Sequence, residues 1–288
     1  MEKIATSIKH ITLLLLLAVF VCLTDSCSKM NAVEKTDDYE YKYEVAKQYF
    51  VEGKYSQASV LFGEVLATMK GTANAEESLY ITAMSYYCHK DHESASQYFR
   101  KYYQMYPKGL YVEYARYFCG LSLYKMTVDP RLDQSATYSA IQEFTEFLDL
   151  YPRTKIKNSC QDMIYSLNDK LVQKEYLSAK MYYDLGNYMG NCTSGGSNYE
   201  ASIVTAQNAL HDFPYAQPEH RENLSIMILR ARYHLAQQSV QDKRLERYRD
   251  CVDEYYAFKN DYPESKYLNE AQNIFTKADA YVKSHGKN

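Results

Sequence analysis

Four short strings, MYPKG at Pro107, LYPRT at Pro152, DFPYA at Pro214 and DYPES at Pro263, each close an amphipathic run with an aromatic residue followed by proline. Proline lacks a backbone N–H and disfavours the helical conformation in the residue before it, so each string is a helix stop. From Asp37 onward the chain reads as helical patterns separated by short polar turns, with no convincing alternating strand. A chain punctuated by one recurring stop is restricted to stacked helical units, each burying its apolar face against the next.

The spacing fits the tetratricopeptide template of about 34 residues, with small residues at positions 8 and 20, aromatics near 11 and 24, and proline at 32. A copy starting at Tyr39 places Ala46 and Ala58 at the small positions, and one starting at Glu76 places Ala83 and Ala95 there. A third, from Glu113, has Gly120 and, after an insertion around VDPRLDQS, Ala140. The fourth has Ala179 and, after the Gly/Ser-rich insertion 189–198, Ser202; the fifth has Ala231 and, after a charged insertion near QDKRLERYRD, Cys251. Small side chains at these positions let two antiparallel helices approach closely. The predicted fold is all-α, an α-solenoid of five tetratricopeptide-like helix pairs at about 39–72, 76–109, 113–154, 172–216 and 224–265, with a capping helix at 265–283.

Positions 5 and 12 lie on one face of each first helix, because seven residues make about two turns. They are occupied by Tyr43 and Phe50, Tyr80 and Tyr87, Tyr117 and Tyr124, Tyr176 and Tyr183, and finally Ile228 and Leu235. An aromatic stripe at helical spacing either packs against the next helix or lines a groove for an extended or helical peptide. The chain has 32 Tyr and no Trp, and tyrosine suits both uses, since its ring packs while its hydroxyl stays wet.

The residues before the repeats carry a different signal. Ile11 to Leu23, ITLLLLLAVFVCL, follows Lys9 and His10 and is too short to span a bilayer, so residues 1–26 read as a signal segment. The LTDSC that follows resembles a bacterial lipobox, which makes Cys27 the residue that is lipidated and begins the mature chain; an ordinary secretory signal with an incidental cysteine is the alternative. Cys22 lies inside the apolar run. Several acyl chains on Cys27 would hold the protein on a membrane, with residues 27–38 as a tether. The resemblance to bacterial lipoproteins implies the periplasmic face of the outer membrane.

Little in the sequence points to catalysis. CHKDH, Cys88 to His92, offers metal-ligand types but has no second ligand pair at zinc-site spacing, and no HExxH or GxSxG string occurs. The Gly-rich GNYMGNCTSGGSN lacks the ending of a phosphate loop, so no cofactor is expected. A net charge of -3, unchanged when residues 1–26 are removed, gives no electrostatic footprint for nucleic acid.

The stretches DYEYKYEVAKQYFVEGKYSQA, DPRLDQSATYSAIQEF, LVQKEYLSAKMYYDLGNY and ERYRDCVDEYYAFKNDYPESKY, taken together with the anchor, resemble the BamD family of outer-membrane protein assembly factors. That resemblance implies a non-enzymatic scaffold whose N-terminal repeats receive unfolded barrel substrates on the stripe and whose C-terminal repeats dock the barrel-forming core subunit BamA. Arg244, Arg247 and Arg249 are the docking candidates, with a solvated loop as the plainer reading. In PRLDQS, Asp133 or Ser135 also has the plainer role of capping the next helix. Other readings are a different envelope adaptor lipoprotein for cell-wall or secretion machinery, or a glycan-capturing lipoprotein whose tyrosines stack on sugars.

Overall fold

The structure, a computed structural model, describes residues 30, 33–69, 71, 72, 74–186, 188 and 197–286. The signal segment 1–26, Cys27 and insertion residues 189–196 lie outside the described residues. Those described form eleven helices and no strand: α1 (Tyr39–Val51), α2 (Tyr55–Val65), α3 (Ala75–Cys88), α4 (His92–Met105), α5 (Val112–Met126), α6 (Ser135–Leu150), α7 (Lys157–Leu185), α8 (Asn198–Asp212), α9 (Pro218–Gln238), α10 (Gln241–Asp261) and α11 (Leu268–His285). The fold is all-α, made of consecutive tetratricopeptide-like helix pairs with α11 packed on α10 at the end.

The small positions explain the pairing. Ala46, Ala58, Ala83, Ala95, Ala140, Ala179, Ala231 and Cys251 are fully buried, and Gly120 and Ser202 are buried with them. The third pair takes Gly where the others take Ala, because a Cβ on Gly120 would lie 2.9 Å from the ring of Phe144. Around these contacts sit large buried rings, Phe62, Phe99, Phe144, Phe147 and Phe258 among them, each contributing about 1.5–3 kcal/mol by leaving water.

The contacts divide the chain into two compact units, and the boundary runs through α6. One unit contains the described residues up to Met126 together with Gln142–Tyr151. The other contains Thr127–Ile141 and everything from Pro152 on; within it α7, α9 and α11 touch in succession, as the first helices of stacked pairs do.

Three features depart from the sequence-based expectation. The fourth pair does not begin near residue 172: α7 is one helix of 29 residues from Lys157. Its sequence holds no Pro or Gly, and Cys160, Leu167, Leu171, Val172 and Ala179 keep it buried along its length. The charged segment near residues 241–250 is not a loop: the extra residues form the first half of α10, since their Arg, Lys, Glu and Leu are strong helix formers. The tether is also shorter than 27–38, because Val33 is buried against Tyr43, Phe62, Val65 and Met69 and Met30 packs partly beside it.

The loop before α6 is a structured turn. Buried Gln134 donates through Nε2 to the carbonyls of Asp129 (2.8 Å) and Leu132 (3.1 Å) and accepts from Thr137 Oγ1 (2.7 Å). Asp133 accepts from Ser135 N (3.1 Å) and Oγ (3.0 Å) at the first residue of α6, the capping role read from PRLDQS. CHKDH forms the turn between α3 and α4, with His92 the first residue of α4.

An acidic latch recurs at the turns after Pro107, Pro214 and Pro263. Glu76 in α3 accepts from Tyr102 Oη (2.5 Å) and from Leu110 N (2.7 Å), and Tyr111 N donates to Tyr102 Oη (3.0 Å). The turn after Pro214 is held by Asp169, which accepts from the Gln217 side chain, and the turn after Pro263 by Glu222, which accepts from Ser265 Oγ. Each latch satisfies turn groups that the interrupted helix leaves without partners.

Candidate functional site

The aromatic stripe lies on α1, α3, α5 and α7 and is set by ring neighbours rather than by open solvent. Tyr43 belongs to the core: it is 1% exposed, meets Phe62 edge-on at 6.1 Å, and its hydroxyl lies 3.2 Å from Glu77 Oε2. Phe50, Tyr80, Tyr87, Tyr117, Tyr124, Tyr176 and Tyr183 are half-buried. Ile228 is buried and Leu235 half-buried, so in the fifth pair the stripe turns aliphatic and merges with the core.

Four of the half-buried rings, Tyr80, Tyr87, Tyr117 and Tyr183, are fixed by aromatic neighbours. Tyr80 stacks on Tyr111 (4.5 Å, 14°) and meets Phe99 and Tyr102 edge-on. Tyr87 meets Phe118 (5.1 Å), which stacks on Phe99. Tyr117 contacts Phe144 and Phe147, and Tyr183 meets Tyr199 (5.7 Å) and His234 (5.8 Å). Most of these supporting residues sit on second helices or after turns, while Phe118 and His234 sit on the first helices α5 and α9; all lie outside the stripe's own spacing.

The electrostatics suit binding rather than chemistry. Burial pushes the Tyr80 hydroxyl up to about 12, and burial followed by the Glu77 carboxylate does the same for Tyr43. Burial likewise raises Tyr87 and Tyr183. These hydroxyls are therefore neutral donors at ordinary pH, not nucleophiles or bases. Burial raises Cys119 and Cys251 to about 12 and Cys160 to about 11, so these thiols lack the thiolate character of reactive cysteines. Among the described residues no three His, Cys, Asp or Glu side chains are grouped to hold a metal ion.

The three arginines of α10 separate into two kinds. Arg244 donates to the Ser239 carbonyl through Nε (3.0 Å) and Nη2 (2.7 Å), and Arg247 donates through Nη1 to Ser239 Oγ (2.6 Å). Both are half-buried and hold the corner between α9 and α10, whereas Arg249 is exposed.

The residues around this framework match a family model for outer membrane lipoproteins, YfiO, over residues 35–192, from before α1 to beyond α7. The chain belongs to that family. Three relatives named outer membrane protein assembly factor BamD are similar to it. The Rickettsia prowazekii protein is 26% identical over 158 residues, covering 55% of this chain and 61% of the relative. The Caulobacter vibrioides protein is 23% identical over 158 residues (55% and 52%), and the Xylella fastidiosa protein 27% over 184 (59% and 62%). The chain thus spans less than two thirds of each of these relatives. The YfiO match ends before α8, so the likeness read in the fifth pair lies beyond it.

The most exposed tyrosines lie off the stripe. Tyr215, 91% exposed, and Tyr165, 61% exposed, line a groove of 380 Å³ with Ile164, Phe213, Pro214 and Asp212, where the turn after α8 meets α7. In the sequence the sign of this groove was the tyrosine directly after proline in DFPYA.

Proposed function

We propose that this chain is a lipid-anchored, non-enzymatic scaffold of the machinery that assembles β-barrel proteins in the outer membrane. The observation that carries the reading is the YfiO family match across α1 to α7, with relatives that are each named an outer-membrane protein assembly factor. Cys27, acylated after removal of residues 1–26, holds the protein on the periplasmic face of the outer membrane.

Unfolded barrel segments dock on the rings of Phe50, Tyr80, Tyr87, Tyr117 and Tyr124 in the first unit, with Tyr43 supporting from the core, and on those of Tyr176 and Tyr183 in the second. Rings already fixed by neighbours lose little rotamer freedom when a ligand arrives, so more of their contact energy appears as affinity. Neutral hydroxyls can donate to the unpaired carbonyls of an extended chain without the desolvation cost of a charge. The core barrel subunit, BamA-like, docks on α10, where Arg249 supplies an exposed cation while Arg244 and Arg247 hold the helix corner.

Depletion of the protein tests the reading through the amount of folded barrel protein in the outer membrane. The expected result is a broad fall in barrel levels together with recovery of the core subunit in detergent co-purification. Unchanged barrel levels, or a co-purified set without the core subunit, contradict it.

A further inference from the structure

The segment between the lipid-bearing position and α1 is tied to the first helix pair. Val33 is 6% exposed within the cluster of Tyr43, Ala46, Leu61, Phe62, Val65 and Met69. The carbonyl of Glu34, the next residue, accepts from the Lys42 ammonium at 2.8 Å, and the same ammonium pairs with Glu64 at 2.6 Å. Lys42 is only 5% exposed, and a buried ammonium is tolerated where a carboxylate and a carbonyl both receive it. Thr36 N then donates to the Val33 carbonyl (3.2 Å), Asp38 N donates to Thr36 Oγ1 (3.3 Å), and Asp38 caps α1 by accepting from Tyr41 N (3.0 Å). The chain is thus fixed from Val33 into α1.

We propose that Val33 and Lys42 form a clip that sets the standoff between the lipid on Cys27 and the first helix pair, holding α1 against the phospholipid headgroup layer. The inference rests on the lipid-anchor reading of Cys27. Only six residue steps separate Cys27 from Val33, a reach of at most roughly 20 Å, whereas a chain free as far as Asp38 would reach about 40 Å. Without the clip, the first pair could wander through a much larger volume beneath the bilayer. With it, the exposed ring of Tyr41 and the amino-terminal end of α1 stay within reach of headgroups, where an amphipathic ring is well placed.

The test uses the absence of tryptophan from this chain. The full-length protein with Tyr41→Trp is purified from membranes in detergent and reconstituted into phosphatidylcholine vesicles that contain a dansyl headgroup lipid. Energy transfer from the single Trp is compared with that of two further forms, one with about ten Gly/Ser residues inserted after Ser28 and one with Val33→Asp, while flotation with the vesicles reports the anchor. The insertion adds on the order of 17 Å of flexible reach and is expected to cut transfer by at least about twofold. Val33→Asp is expected to cut it in the same direction, and Lys42→Met, which removes the ammonium from the Glu34 carbonyl, serves as the second clip variant should Val33→Asp fail to fold. Transfer that ignores the insertion or the clip variants while flotation is retained overturns the clip alone. Loss of flotation by the unmodified spacer form overturns the anchor reading and the clip with it.

Discussion

Gly120 of α5 lies beneath the ring of Phe144 in α6, so close that a methyl group on Gly120 would sit 2.9 Å from Phe144 Cε1 and 3.0 Å from Cδ1. Phe144 is fully buried and has nowhere to retreat. Gly120→Ala, which restores the residue found at the matching position of the other four pairs, is therefore expected to destabilise. Overpacking at about 1–3 kcal/mol exceeds the gain of about 1 kcal/mol from replacing a helical glycine. The urea unfolding midpoint should fall, and adding Phe144→Leu should recover part of the loss. A midpoint that rises on Gly120→Ala would show that Phe144 can yield.

The latch at Glu76 makes a local prediction. Glu76→Ala leaves Leu110 N and Tyr102 Oη without their shared acceptor, which should cost about 2 kcal/mol. The loss should concentrate in the turn between α4 and α5, where Lys108 is exposed. Trypsin cleavage after Lys108 should quicken well before global unfolding, and Glu76→Gln, which keeps a carbonyl acceptor, should be milder. Equal cleavage rates in all three proteins would remove the latch from the account of this turn.

Alkaline pH should unfold the protein through its buried phenols and thiols. Burial raises Tyr43 and Tyr80 from 10.0 to about 12, and Cys119 and Cys251 from 9.0 to about 12. A raised folded-state value means that the fold holds the proton more tightly than the unfolded chain does, so the contribution is intact below the unfolded value and is lost as pH rises from there through the folded-state value. Melting temperature should stay level to about pH 9 and then decline steadily toward about pH 12. Cys251→Ala, which keeps a small residue at the helix crossing and removes one titrating group, should make the decline shallower.

The arginines of α10 should separate structure from docking. Arg244→Ala removes both donors to the Ser239 carbonyl and is expected to cost about 1 kcal/mol in stability. Arg249→Glu, at an exposed site, should leave the melting temperature within about 1 °C of the parent while lowering recovery of the core barrel subunit in co-purification. Undiminished recovery with Arg249→Glu would remove this residue from the docking surface.

Much of the fold was legible because two physical rules write directly into sequence. Proline stops helices, which marked the ends of α4, α6, α8 and α10, and close helix crossings demand small side chains, which marked Ala46 through Cys251. The length of α7 was not legible, since a helix without Pro or Gly offers no internal sign of where a repeat begins. The charge density of residues 241–250 suggested a loop, although Arg, Glu and Lys on a solvent face are compatible with an ordinary helix.

The candidate site divides in the same way. Spacing alone put seven tyrosines and one phenylalanine on one face of each of four helices, because helical period is a local property of the chain. How far those rings are buried was decided by residues well outside their own helices: Phe62 covers Tyr43, Tyr111 stacks on Tyr80, and Phe147 packs on Tyr117. The same holds at the amino terminus, where the sequence placed a short segment before the first helix, and only the tertiary structure decided that Val33 belongs to the core. Local periodicity is fixed by backbone geometry, whereas burial depends on what the rest of the chain brings alongside.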